Sequence, residues 1–111
     1  QVGVLSQYLP KHDGQRVEMF GYLVAIKNTG TSNGNRMNFG TFIDRDGQFI
    51  DTVHFPPSAA KYPFRGRGIY RLVGKVVEEF EFYSLEVDLM EKINYVNLED
   101  ESKEMVRAIS R

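Results

Sequence analysis

The chain has 111 residues and a mass of 12.8 kDa, with 41% hydrophobic, 13% aromatic and 26% charged residues, a composition that fits one folded domain with a modest core and excludes wholesale disorder. It has no cysteine, which excludes a disulfide framework, a thiolate metal site and a thiol nucleophile. The net charge of −1 hides a division, with ten Lys/Arg against five Asp/Glu up to Lys75 and four against ten from Val76 onward.

No apolar run approaches the ~18 residues of a membrane-spanning helix, so a cytoplasmic protein with no membrane partner is expected. The chain begins with Gln1 rather than Met, and is expected to be a piece of a longer protein whose activity need not reside here. Residues 1–15 form a lead-in in which Leu5, Tyr8 and Leu9 can cover the end of the domain that follows. Asp13-Gly14 makes a turn into that domain.

Arg16 to Lys27 (RVEMFGYLVAIK) is rich in β-formers and reads as a long first strand, with Gly21 placed for a bend or bulge. Asn28 to Asn35 (NTGTSNGN) has the composition of a mobile connection. Met37 to Asp44 and Phe49 to Phe55 are the second and third strands, joined through the Asp-Gly turn signal of Arg45 to Gln48. Pro56-Pro57 ends the third strand, because proline has no N–H for the ladder. Ser58 to Tyr62 leaves room for a turn or two of helix before Pro63, with Ser58 as a candidate cap.

Gly68 to Glu79 is a fourth strand interrupted by Gly74; Glu81-Phe82-Tyr83 is a short connection, and Ser84 to Ile93 a fifth strand with Leu85, Val87 and Leu89 inward. Three strands, a short helix and two strands, with the first and fourth long, is the order of the OB-fold, an all-β five-stranded Greek-key barrel. The barrel is expected over residues 16–93. Residues 94–111 form a C-terminal helix or linker, in which Leu98, Met105 and Ile109 follow helical spacing.

The residues provide little for catalysis. His12 and His54 show no metal-ligand spacing, Asp44-Arg45-Asp46-Gly47 lacks the later ligands of a calcium loop, and Gly66-Arg67-Gly68 is no phosphate-cradling loop. No catalytic residue, metal site, cofactor or small-molecule substrate is therefore expected in this chain.

Binding is the better expectation. OB-folds present a surface on the second and third strands, walled by the loops between strands one and two and between four and five. Here that surface would carry Lys27, Arg36, Phe39, Thr41 and His54, with Phe82 and Tyr83 in the second wall. Aromatic rings stack on the bases of a single strand while Lys and Arg track its phosphates. Lys61, Arg65, Arg67, Arg71 and Lys75 form a run without an intervening acid, which extends the expected nucleic-acid surface. Phe42 is assigned to the core, together with most of Phe39, Phe42, Phe49 and Phe55 as a group. Within that group Phe39 is favoured for the ligand face.

The succession VEMFGYLVAIKNTGTSNGNRMNFGTFIDRDGQFIDTVHFP, followed by GIYRLVGKVVEEFEFYSLEVDLM, resembles the OB-fold near the C-terminal end of the alpha subunit of bacterial DNA polymerase III, in the version of Bacteroides-type bacteria. The residues that carry the resemblance are Gly21 in the first strand, Gly34 and Met37, Asp44 with the turn Gly47, Phe55-Pro56, and Gly74-Lys75-Val76. It spans about residues 16–93, and several of its motifs are shared with the anticodon-binding OB-folds of aminoacyl-tRNA synthetases.

The resemblance implies a non-catalytic module that holds single-stranded DNA template during replication. It also implies a parent that is a DNA-directed DNA polymerase, a nucleotidyltransferase whose Mg-binding carboxylates lie outside this chain. Its further partners would be the clamp-loader tau subunit and other replisome subunits. Ile43, Asp51 and the acidic Glu78, Glu79 and Glu81 depart from that picture. A protein-docking OB-fold that uses the acidic final third, and a tRNA anticodon-binding one, are the alternative readings.

Overall fold

The computed structural model describes residues 3–30 and 36–93; the expected helix or linker over 94–111 lies outside them, as does most of the loop from Thr31 to Asn35. Five strands, β1 (Arg16–Gly30), β2 (Arg36–Ile43), β3 (Phe49–His54), β4 (Ile69–Glu79) and β5 (Phe82–Lys92), close into a barrel of order β1-β2-β3-β5-β4. Every contact between neighbours is antiparallel except β3–β5, which is parallel and rests on Thr52↔Leu85 and Val53↔Glu86. The first half of β1 pairs with β4 and the second half with β2. That double use is why the first strand must be long.

Alternation decides which side chains fill the interior. Met19, Phe42, Ile50, Leu72, Val76 and Leu85 are all fully buried, and Tyr70 joins them. The turn from Asp44 to Gln48 sets the β2–β3 register through backbone bonds in both directions, Asp44 N to Gln48 O and Gly47 N to Asp44 O. It makes Phe42 the partner of Ile50 and Ile43 the partner of Phe49.

The barrel has a plug at each end. At one, the 3₁₀ helix Ser6–His12 lays Leu9 into the core, where it is 2% exposed. Asp44 anchors this segment. Its carboxylate accepts from Ser6 N at 2.8 Å and from Asp46 N and Gln48 N at 3.0 Å each, so one buried side chain holds the lead-in and the β2–β3 turn together. At the other end, α1 (Pro56–Lys61) and the loop after it bring Phe64 against Phe42, His54 and Tyr70.

Several element boundaries differ from the sequence expectation. β1 continues to Gly30, because Asn28 and Thr29 still pair with Asn38 and Met37. Pro56 and Pro57 begin the helix, where a missing N–H costs nothing, and Phe55 rather than Ser58 occupies the capping position. The β1 bulge falls between Leu23 and Ala25 instead of at Gly21. β4 runs through Gly74 with an irregular register against β5 rather than stopping there. β5 starts at Phe82, so the connection from β4 is only Phe80-Glu81.

Candidate nucleic-acid interface

The outer face of β1, β2 and β3 is built from cross-strand rows, because residues directly opposite on neighbouring strands point to the same side. Lys27 pairs with Phe39 and Phe39 with Val53, giving one row of cation, ring and branched aliphatic. The next row is Ala25, Thr41 and Asp51, and the one beyond it Tyr22, Ile43 and Phe49. Phe39 and Thr41 are half-buried and point away from Phe42 and Gly40, as expected.

Gly40 has a definite reason to be glycine. A Cβ there would come within 2.6 Å of Thr52 Oγ1 and 3.2 Å of Phe64 Cζ. Its absence lets Thr52 Oγ1 donate to the Gly40 carbonyl at 3.2 Å.

His54 is not on this face. It is fully buried, in phase with Ile50 and Thr52, and its ring packs edge-on against Phe64 with centroids 4.9 Å apart. Burial lowers its pKa to about 4, so the imidazole is neutral at physiological pH. Since Thr52 donates to Gly40, its oxygen accepts from His54 Nε2–H at 2.8 Å. Nδ1 is then the bare nitrogen, and it has no partner among the described residues.

Tyr83 is a second correction, because it packs against the core cluster instead of standing in a loop wall. Phe82, the neighbour of opposite phase, is 79% exposed. Phe49 and Phe55 also fail to join the core, at 61% and 43% exposed. Of the four phenylalanines between residues 39 and 55, Phe42 alone is fully buried. Phe82 and Phe49 each lie three residues before the Thr52↔Leu85 pair, so the parallel register puts them level at one side of the face. Phe49 could have been found from the sequence, since it shares phase with Asp51 and Val53 while Ile50 must be inside.

The basic run does not form one patch. Arg71 lies on β4, which neighbours β1 and β5 but not β2 or β3, and its guanidinium pairs with Glu18 and Glu91. Its pKa is raised by the bond to Glu18, so its charge is already answered. Lys75 is on the same strand, beside Arg16 and Glu86 in register. Lys61 ends α1, and Arg65 and Arg67 lie in the loop before β4; all three are exposed and have no ion-pair partner among the described residues. Lys27 is likewise exposed and unpaired among the described residues. Arg36 pairs with Gly30 through its backbone, and its side chain lies outside the described part.

The strand order, the closed barrel and the helix between β3 and β4 define this chain as an OB-fold domain. Among solved structures it is similar to the single-stranded DNA binding protein of Thermus aquaticus, with a TM-score of 0.62 and 15% identity over 71% of this chain and 40% of that one. It is similar also to the second OB-fold domain of replication protein A from Methanococcus maripaludis, with a TM-score of 0.57 and 16% identity over 74% of this chain and 87% of that one. The S. pombe Stn1–Ten1 complex gives a TM-score of 0.57 and 18% identity over 86% of this chain and 68% of that one. The chain thus spans less than half the length of the Thermus protein. No family model and no curated protein matches the sequence.

Proposed function

We propose that this domain binds single-stranded DNA across the outer face of β1–β3, without chemistry of its own, as a module of a replicative polymerase alpha subunit. The observation that carries the reading is the row Lys27–Phe39–Val53: a half-exposed ring flanked on one side by an unpaired cation and on the other by an aliphatic side chain. A base stacks on such a ring whatever its identity, and the neighbouring lysine reaches the phosphate. The structural neighbours include proteins named for single-stranded DNA binding and for replication protein A, and the resemblance of residues 16–93 to the polymerase III alpha subunit supports the parent. In that parent the Mg-dependent nucleotidyl transfer takes place in another domain, and clamp-loader tau and other replisome subunits are the neighbouring partners.

Titration of the chain with labelled oligo-dT at low and moderate salt tests the reading. Binding that weakens linearly in log–log form with salt is expected, with a slope of about −0.7 per phosphate contacted. No binding at either salt by folded protein would remove the DNA role.

A further inference from the structure

A second basic feature lies at the end of the barrel plugged by α1. There a cavity of about 290 Å³ is lined by Lys61, Tyr62, Arg65, Met90, Glu91 and Lys92, among others. The backbone of one wall, at Arg65 and Gly66, is held by hydrogen bonds from within the chain. The buried Tyr70 hydroxyl donates to Gly66 O at 2.6 Å and accepts from Arg65 N at 2.7 Å, which pins the loop from below. Lys92 Nζ donates to Arg65 O at 3.1 Å. Its stem crosses Gly68, where φ is +148° and a Cβ would come within 2.6 Å of Lys92 Cε. Any side chain at that position would displace the lysine.

The charges in this cavity are unbalanced. Lys61 and Arg65 have no ion-pair partner among the described residues, and the Lys92 ammonium has two N–H donors beyond the one it gives to Arg65. Glu91, the acid in the lining, has its carboxylate 3.4 Å from Arg71 Nη1 and so is directed elsewhere. Tyr62, with Lys61 Nζ 5.5 Å from its ring centroid, and Met90 supply an apolar wall. Three cations over an apolar wall fit an anionic group carried on a sugar or base, and the volume is just below the ~300–1,000 Å³ of drug-sized sites.

The position connects this cavity to the β1–β3 face. β3 and β5 are parallel, so His54 and Lys92 end at the same pole of the barrel, and α1 starts directly after β3. The Lys27–Phe39–Val53 row is the row of the face nearest that pole among those that reach β3 on its outer side. We propose that the cavity is a subsite for a backbone phosphate of the single strand that leaves the face past Phe39, with Lys61, Arg65 and Lys92 as its donors and Tyr62 as the platform for the attached nucleoside. This rests on the single-strand reading above and fixes the end of the barrel by which the strand departs.

The test is a backbone-amide NMR map of the whole chain titrated with a thymidine dodecanucleotide and with a trinucleotide that can cover only the face. The dodecanucleotide is expected to shift Arg65, Gly66 and Lys92 as well as Lys27 and Phe39, and the trinucleotide only the latter pair. Lys92→Met, which keeps the stem, should weaken dodecanucleotide binding roughly threefold to tenfold and reduce the salt slope by about 0.7, leaving the trinucleotide unaffected. Lys11→Met, at the other pole, removes the same charge as a control. Shifts at Lys27 and Phe39 without any at Arg65, Gly66 and Lys92 would overturn the subsite and spare the face. An equal loss from Lys11→Met would also overturn it, as a general charge effect. No shift at either place would overturn both readings. The map uses the unsubstituted chain, so the outcome does not depend on how a variant folds.

Discussion

His54 Nε2 and Thr52 Oγ1 lie 2.8 Å apart inside the barrel, two residues apart on β3 and both fully buried. The hydroxyl passes the bond on to the Gly40 carbonyl, leaving Nδ1 without an acceptor among the described residues. A second proton would have to sit on that nitrogen, in a site lined by Phe64. Burial of the ring away from water, which penalises the charged form, lowers its pKa to about 4.

Stability should therefore depend on pH through His54. The unfolded imidazole takes its proton near 6.5 and the folded one near 4, so between these values the unfolded state binds more protons and stability falls as pH falls. The full loss is on the order of 3 kcal/mol below the folded pKa. Urea unfolding between pH 7.5 and 4 should show a steeper decline for the native chain than for His54→Asn. Parallel declines would contradict this account.

Phe39→Ala and Phe42→Ala should separate binding from folding. The first removes a ring from the outer face and should weaken oligo-dT binding by about 1–3 kcal/mol with little change in the unfolding midpoint. The second empties a position that is 0% exposed and should cost about 3–5 kcal/mol of stability. A large midpoint loss for Phe39→Ala would assign its ring to packing.

Asp51→Asn should tighten oligo-dT binding. The carboxylate is exposed and sits opposite Thr41 in the middle of the face, one row from Phe39, where it opposes a phosphate backbone. Fluorescence titration at low salt should show the gain, and raising the salt should shrink it.

Asp44→Ala should destabilise the chain by about 2–3 kcal/mol, since three backbone N–H groups lose a charged acceptor at once. The lead-in should loosen first. Hydrogen exchange at Ser6 to His12 would report this, and unchanged protection there would argue that Leu9 alone holds the plug.

The two-residue β4–β5 turn should be improvable. Phe80 and Glu81 have φ of 53° and 68°, a pair of left-handed conformations that Asn-Gly adopts far more easily. Replacing them as Phe80→Asn with Glu81→Gly should raise stability by about 1–2 kcal/mol. A lower thermal midpoint would mean that Phe80, 84% exposed, contributes more than its backbone costs.

The sequence by itself determined the number and order of the strands, the hairpin turn at Asp46-Gly47 and the inward phase of Phe42. Those follow from local periodicity and turn chemistry, which act within a few residues. It also located the part of the face that depends on β2 alone, Phe39 and Thr41. Only the tertiary structure decided the rest. His54 is buried and Tyr83 partly buried because Phe64 and the core cluster close over them, whereas the outward phase of Phe49 was already legible from the alternation that puts Ile50 inside. Arg71 leaves the basic run because Glu18 and Glu91 arrive from strands 53 and 20 residues away. Whether a charge is free, or a ring exposed, is a property of its neighbours in space, and closing the barrel is what chooses them.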